Sequence, residues 1–225
     1  MGTVSTTAGR SHVQRLRADA SRNRERIVAA AREAFVEYGA EVTLDQIARR
    51  AGVGNATIYR HFADRPELIR QVTLEVMNRI VKLAETALAE EPDAFAALRR
   101  FVHGATEERI GALCPILSAD CERIASALTV ERARLERAVE AIVERGRDAG
   151  LLRPDVTPAD ILIALSQLTR PLPGSRRLNL DRFVGRHLEL FLDGLRTPAR
   201  SPLPGAGATF DDLKRRPPTT TTPTA

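Results

Sequence analysis

The chain has 225 residues, 34 Lys and Arg against 29 Asp and Glu, a formal net charge of +5, 43% hydrophobic residues and no Trp. That length and apolar content allow a core beyond one small domain, while no run of about 18 apolar residues is present to span a bilayer as a helix. No apolar secretory leader opens the sequence, which sets the expectation of a cytoplasmic protein.

Residues 1–20 read as a flexible basic arm carrying Arg10, Arg15 and Arg17, with Arg22, Arg24 and Arg26 opening the first helix. Such an arm either lies in a DNA minor groove or stays solvated. Ile27, Ala31, Ala34, Phe35 and Tyr38 then recur at helical spacing, and Gly39 ends the run. From Thr43 to Phe62 the chain reads TLDQIARRAGVGNATIYRHF, two short helices joined by a glycine turn. Thr43 is placed to cap the first helix, and Asp45 adds negative charge where the helix dipole favours it. Leu44, Ile47, Ala48 and Ala51 form one apolar face. Gly52 suits the left-handed conformation that ends a helix, Val53 plugs the turn, and Asn55 is able to cap the second helix. Ile58 and Phe62 point inward, which leaves Asn55, Ala56, Thr57, Tyr59, Arg60 and His61 outside. That outer face is small at its start and polar throughout, as a helix entering a major groove about 12 Å wide must be. The pattern predicts a helix-turn-helix, with double-stranded DNA as partner. Asp64, Arg65 and Pro66 look like the cap and first turn of a further helix.

The run IVAAAREAFVEYGAEVTLDQIARRAGVGNATIYRHFADRPELI, within Arg24 to Ile69, resembles the DNA-binding domain of the tetracycline-repressor (TetR) family over about a fifth of the chain. The ATIYRHF segment and the Asp-Arg-Pro-Glu-Leu that follows are its most discriminating parts. The resemblance implies an all-α fold: a three-helix DNA-binding domain in residues 21–66 and a helical regulatory and dimerisation body in residues 67–196. It also implies a transcriptional regulator, by default a repressor, that binds a palindromic operator as a homodimer and is released by a small-molecule effector. On that reading Asn55, Ala56, Thr57 and Arg60 face the bases, with Arg60 suited to a guanine and Ala56 or the Thr57 methyl to a thymine methyl, and Gly54 is a further DNA-binding residue. Thr43, Tyr59, His61 and Arg65 fix the docking through phosphates.

Charge agrees with this division. Residues 1–66 hold eleven basic and seven acidic side chains, residues 67–196 nineteen and twenty, and residues 197–225 four and two. The bias toward Arg is general, because Lys82 and Lys214 are the only lysines. A basic head gains affinity by releasing counterions from DNA, so binding should weaken as salt rises.

Beyond Pro66 the sequence reads as successive helices. Leu68, Val72, Val76, Ile80, Leu83 and Ala87 form a long stripe that breaks near Pro92, and residues 94–109 form the next helix. A less regular segment runs from Gly111 to Leu128, followed by a helix over about 130–149 that Gly150 stops. Thr157, Pro158 and Asp160 open a helix that ends before Pro171. A last helix covers about 180–196. Ala164, Leu165, Leu168, Leu188, Phe191 and Leu195 form the candidate dimer interface, and Phe95, Phe101, His103, Cys114, Leu117, Cys121, Gln167 and Arg170 the candidate effector pocket. Residues 197–225, rich in Pro, Thr, Gly and Ala, read as a disordered tail.

Other chemistry is sparse. Cys114 and Cys121 would stand roughly 10.5 Å apart on a continuous helix, too far for a disulfide, so inert buried thiols are expected. No metal-binding cluster, cofactor motif or catalytic constellation is present, which predicts no enzyme, no metal and no cofactor. Two alternatives remain: a redox-responsive regulator using Cys114 or Cys121, and a helical protein-interaction module.

Overall fold

The computed structural model describes residues 6–109, 113, 128–170 and 180–212. Among them lie eight α-helices and no strand: α1 (Thr6–Tyr38), α2 (Leu44–Ala51), α3 (Asn55–His61), α4 (Arg65–Glu90), α5 (Ala94–Glu107), α6 (Thr129–Asp148), α7 (Pro158–Leu168) and α8 (Val184–Gly194). Single 3-10 turns occupy Gly39–Glu41 and Leu180–Phe183. The fold is all-α, as the sequence predicts. Among the described residues two compact units are present, residues 6–76 with 113 and 128, and residues 77–109 with 129–170 and 180–212.

The first unit, the head, buries the apolar faces read from the periodicity. Ile27, Ala31 and Phe35 of α1, Ile47 and Ala48 of α2, Ile58 of α3, Phe62, and Leu68 and Val72 of α4 are all at most 1% exposed. Burial of each large side chain contributes about 1.5–3 kcal/mol, which is how helices as short as α2 and α3 persist. Tyr38, read as part of the inward stripe, is instead 50% exposed. It ends α1, where Gly39 turns the chain at φ +77°.

Residues 6–20, expected as a flexible arm, continue α1 toward the N-terminus. No proline interrupts Thr6 to Tyr38. Once the buried turn around Ile27 nucleates the helix, each added residue costs only its propensity.

The second unit buries Ile80, Val81, Ala84 and Ala87 of α4, and Phe95, Leu98, Phe101 and Val102 of α5. Val139, Ile142 and Val143 of α6, Ile161 and Leu165 of α7, and Leu188 and Leu192 of α8 complete this core. Helix ends are satisfied by side chains. Asp93 accepts from Ala96 N–H (2.6 Å) at the start of α5. Arg145 of α6 donates to the carbonyls of Leu88 (2.8 Å) and Glu91 (2.9 Å), closing α4. Gly150, at φ +67°, ends α6, and Thr157 and Asp160 form the predicted reciprocal cap of α7. The last predicted helix starts as a 3-10 turn and becomes α-helical only at Val184.

The tail reading fails for residues 197–212. Thr197 N–H donates to Leu151 O (3.2 Å), while Arg153, only 6% exposed, donates to Ser201 O (2.7 Å) and grips Asp155 with two nitrogens. Thr157 Oγ1 donates to Ala208 O (2.7 Å), and Ala208 N–H donates to Asp160 Oδ1 (2.9 Å). The segment is ordered by its backbone polar groups, which a count of apolar side chains does not register. Its proximity to α7 needs glycine, since a Cβ at Gly207 would stand 2.4 Å from Thr157 Cγ2. Residues 213–225, with Lys214, Arg215 and Arg216, lie outside the described residues.

Candidate nucleic-acid interface

The α2–turn–α3 unit is built by its caps. Thr43, extended at ψ 157°, caps α2 in a reciprocal box: Gln46 N–H donates to Thr43 Oγ1 (3.3 Å), and Thr43 N–H donates to Gln46 Oε1 (2.8 Å). Gly52 ends α2 in the left-handed region at φ 64°, with its N–H directed to Ala48 O and Arg49 O. Gly54, not Asn55, caps α3, and it does so without a side-chain bond. Asn55 is the first helical residue, and its Nδ2 donates to Asp45 Oδ1 (2.8 Å), tying the start of α3 to the first turn of α2.

This packing divides the faces of α3 sharply. Ile58 is 0% exposed, while Asn55, Ala56, Tyr59 and Arg60 are exposed and Thr57 and His61 are half-buried. Tyr59 is 57% exposed. A cleft of about 640 Å³ runs beside α3, lined by Tyr59, Arg60, His61, Asp64, Pro66, Glu67 and Arg70, with Ala63. Arg70 donates twice to Glu67 (both 2.8 Å), and that bond holds the Glu67 carboxyl below its usual range.

Most arginines of the head are already engaged. Arg22 pairs with Asp19, Arg50 with Glu33 and Glu37, and Arg49 donates to Asp45 O (3.4 Å). Arg60 is exposed and makes no hydrogen bond or ion pair with the described residues. Arg65, read as a phosphate ligand, donates to Val42 O and stacks 5.5 Å from the centroid of Phe35. Thr43, the other loop candidate, has its hydroxyl committed to Gln46.

Residues 27–72 match the family described as "Bacterial regulatory proteins, tetR family", and residues 92–197 match "Transcriptional regulator SbtR-like, C-terminal domain". A solved TetR transcription regulatory protein from Mycobacterium vanbaalenii is 32% identical, with a TM-score of 0.58 and coverage of 81% of this chain and 99% of that one. The chain belongs to the TetR family. A TetR regulator from Streptomyces coelicolor is 30% identical, with TM-score 0.59, over 78% of this chain and 99% of that one. The HTH-type transcriptional repressor BepR of Brucella suis is 27% identical over 211 residues, 84% of this chain and 100% of that protein. Several other curated relatives are matched over less than half their length. SrpR of Pseudomonas putida is one, 46% identical over 56 residues that span 26% of that protein.

In the C-terminal unit of this TetR protein the described members of the predicted pocket differ in burial. Phe101 is 0% exposed and Phe95 is 4%, with the Arg196 guanidinium 3.8 Å from the Phe95 ring centroid. Both are core residues, because their apolar rings fill the space between helices. His103 Nε2 lies 2.6 Å from Glu189 Oε1, which also accepts from Arg99 Nε (3.0 Å). The His103 bond, with the charge of Arg99, holds the Glu189 carboxyl below its usual range. Gln167 and Arg170 are exposed on and just after α7, and Cys114, Leu117 and Cys121 lie outside the described residues. An open groove of about 240 Å³ is instead lined by Arg79, Lys82, Leu83, Thr86, Arg100 and Glu108. Its four α4 members recur at helical spacing, a pattern the sequence contained but which reads equally as a solvated face.

The predicted pairing face divides similarly. Leu165 and Leu188 are 0% exposed and Leu195 is 5%, so they belong to the core of the single chain. Ala164, Leu168 and Phe191 are half-buried. The exposed apolar residues nearby are Phe183 at 40% and Leu190 at 61%, neither of which was among the candidate interface residues.

Proposed function

We propose that this TetR protein is a sequence-specific DNA-binding transcriptional regulator of the repressor type. In this reading two copies bind a palindromic operator, and a small-molecule effector bound by the C-terminal unit releases them. The observation that carries it is Arg60, an exposed guanidinium without a partner among the described residues, on a helix whose buried side is closed and whose outer side opens with Ala56 and Thr57. Such a surface enters a major groove and donates two hydrogen bonds to a guanine. Asn55, Ala56 and Thr57 lie beside it, Gly54 permits close approach, and Tyr59 and His61 meet phosphates on the flanks. That BepR is a repressor supports the sign of regulation.

Pairing of two copies follows from the small reach of one head, which reads only a few base pairs. The half-buried and exposed apolar residues of α7 and α8, Ala164, Leu168, Leu190 and Phe191, are the proposed contact. Effector and operator then oppose each other through one coupling free energy.

The test is selection of binders from a randomised duplex pool at near-physiological salt. An inverted repeat is the expected product. Arg60→Ala should then relax preference at one position of each half-site, and Tyr59→Phe should weaken all sites alike. Recovery of no motif, or an unchanged preference in Arg60→Ala, overturns the reading.

A further inference from the structure

Three arginines of the head place their guanidinium groups on backbone carbonyls at the boundaries of the two-helix unit. Arg26 Nη2 donates to Ala51 O (2.6 Å), the last carbonyl of α2, and reaches Gly52 O at 3.5 Å. Arg24 Nη1 donates to His61 O (2.9 Å), the last carbonyl of α3, with its guanidinium carbon 4.6 Å from the Phe62 centroid. Arg65 donates to Val42 O, one residue ahead of the Thr43 cap, and stacks on Phe35. The start of α2, the turn and the end of α3 are therefore each held by a cation from α1 or α4.

The chemistry of these positions favours the arrangement. The last carbonyls of a helix lack intrahelical donors and carry the negative end of its dipole, so a cation there satisfies both. A planar guanidinium stacked on a ring has few orientations left to lose. The turn makes room for it: a Cβ at Gly52 would stand 3.0 Å from Arg26 Nη2. Phe62 and Phe35, at 1% exposure, are themselves fixed in the core.

We infer that Arg24, Arg26 and Arg65 are positioning residues, which set the angle and depth of α3 for DNA without themselves binding phosphate. The inference rests on the DNA-binding reading above and deepens it. It divides the head's arginines into those that hold the reading helix and Arg60, which reads. A guanidinium has five donors, so one carbonyl bond does not by itself exclude a phosphate. Salt dependence separates the two roles.

The experiment uses the full chain and the inverted-repeat duplex recovered by selection, titrated over a range of salt concentrations. Arg24, Arg26 and Arg65 are each replaced by Lys, which keeps the charge, and by Met, which removes it. Misalignment that forfeits one base contact should lower affinity by about ten- to a hundredfold in both substitutions. The slope of log affinity against log salt should stay as in the wild type. A phosphate role predicts Lys near wild type and, for Met, a slope smaller in magnitude by about 0.9. A purely structural role predicts a lower melting temperature with unchanged affinity per active dimer, counted by stoichiometric titration. Either result overturns the inference. Wild-type protein measured first keeps the two proposals distinct: if it selects no duplex, the DNA-binding reading fails on that result alone and takes the positioning role with it.

Discussion

Replacing Gly52 by Ala tests the geometry of the α2–α3 turn. Gly52 lies at φ 64°, and a Cβ there meets Arg26 Nη2 at 3.0 Å. Gly39 provides the internal comparison, at φ +77° with nothing within 4 Å of its Cβ position. Holding Ala in the left-handed region costs about 1–2 kcal/mol, offset by about 0.4–1 kcal/mol because Ala also restricts the unfolded chain. Gly39→Ala should therefore cost about 1 kcal/mol. Gly52→Ala should cost about 2–3 kcal/mol, because the displaced guanidinium also loses its bond to Ala51 O, worth about 1 kcal/mol or more. The assay is guanidinium denaturation followed by tyrosine emission. Both tyrosines, Tyr38 and Tyr59, are in the head and the chain has no Trp, so this signal reports the head alone. Equal costs for the two variants would refute the contribution assigned to Arg26, and an unchanged midpoint in Gly52→Ala would refute the left-handed turn.

Four further outcomes follow from the C-terminal unit. Leu188→Ala, at a fully buried site, should lower stability by about 2–5 kcal/mol in a thermal or denaturant melt, while Leu190→Ala, at an exposed one, should stay within about 0.5 kcal/mol. Leu190→Glu should leave the fold intact and shift sedimentation from dimer to monomer; persistence of the dimer would place the pairing face elsewhere. Gly207→Val and Arg153→Met should each free residues 198–212, seen as new protease cleavage there with the rest of the chain resistant. The Arg153 bond holds the Asp155 carboxyl down to about 2. Its folded pKa is depressed, so its stabilising contribution is full above the usual carboxylate range and is lost as pH falls toward about 2. The melting-temperature gap between wild type and Asp155→Asn should accordingly be constant near neutrality and close between pH 4 and pH 2, and a gap independent of pH would refute the pair.

Some features were readable because they depend on neighbours in sequence. The Thr43 and Thr157 caps, the Gly52 turn, the stop at Gly150 and the inward pair Ile58 and Phe62 are each set by spacings of one to four residues. The exposed side of α3 followed as the complement of its buried side. The extension of α1 over residues 6–20 was missed because an Arg-rich, polar segment resembles a solvated arm, although helix propagation needs no apolar face.

What residues 27–62 settled alone was the family-bearing head: which faces of α2 and α3 turn inward, where α2 starts, and where the chain must turn. Those outcomes arise from backbone sterics, local hydrogen bonds and hydrophobic period, all of which act within a few residues. Tertiary structure decided the rest, because it depends on partners far along the chain. Leu165, Leu188 and Leu195 are core residues, not a free face, since one apolar stripe looks the same whether its own chain or a second copy covers it. Residues 198–212 are docked because Arg153, Thr157 and Asp160 meet their carbonyls and amides across about fifty positions of sequence. Arg24, Arg26 and Arg65 hold carbonyls while Arg60 remains open to solvent, a distinction that identical side chains cannot express in sequence and that only packing creates.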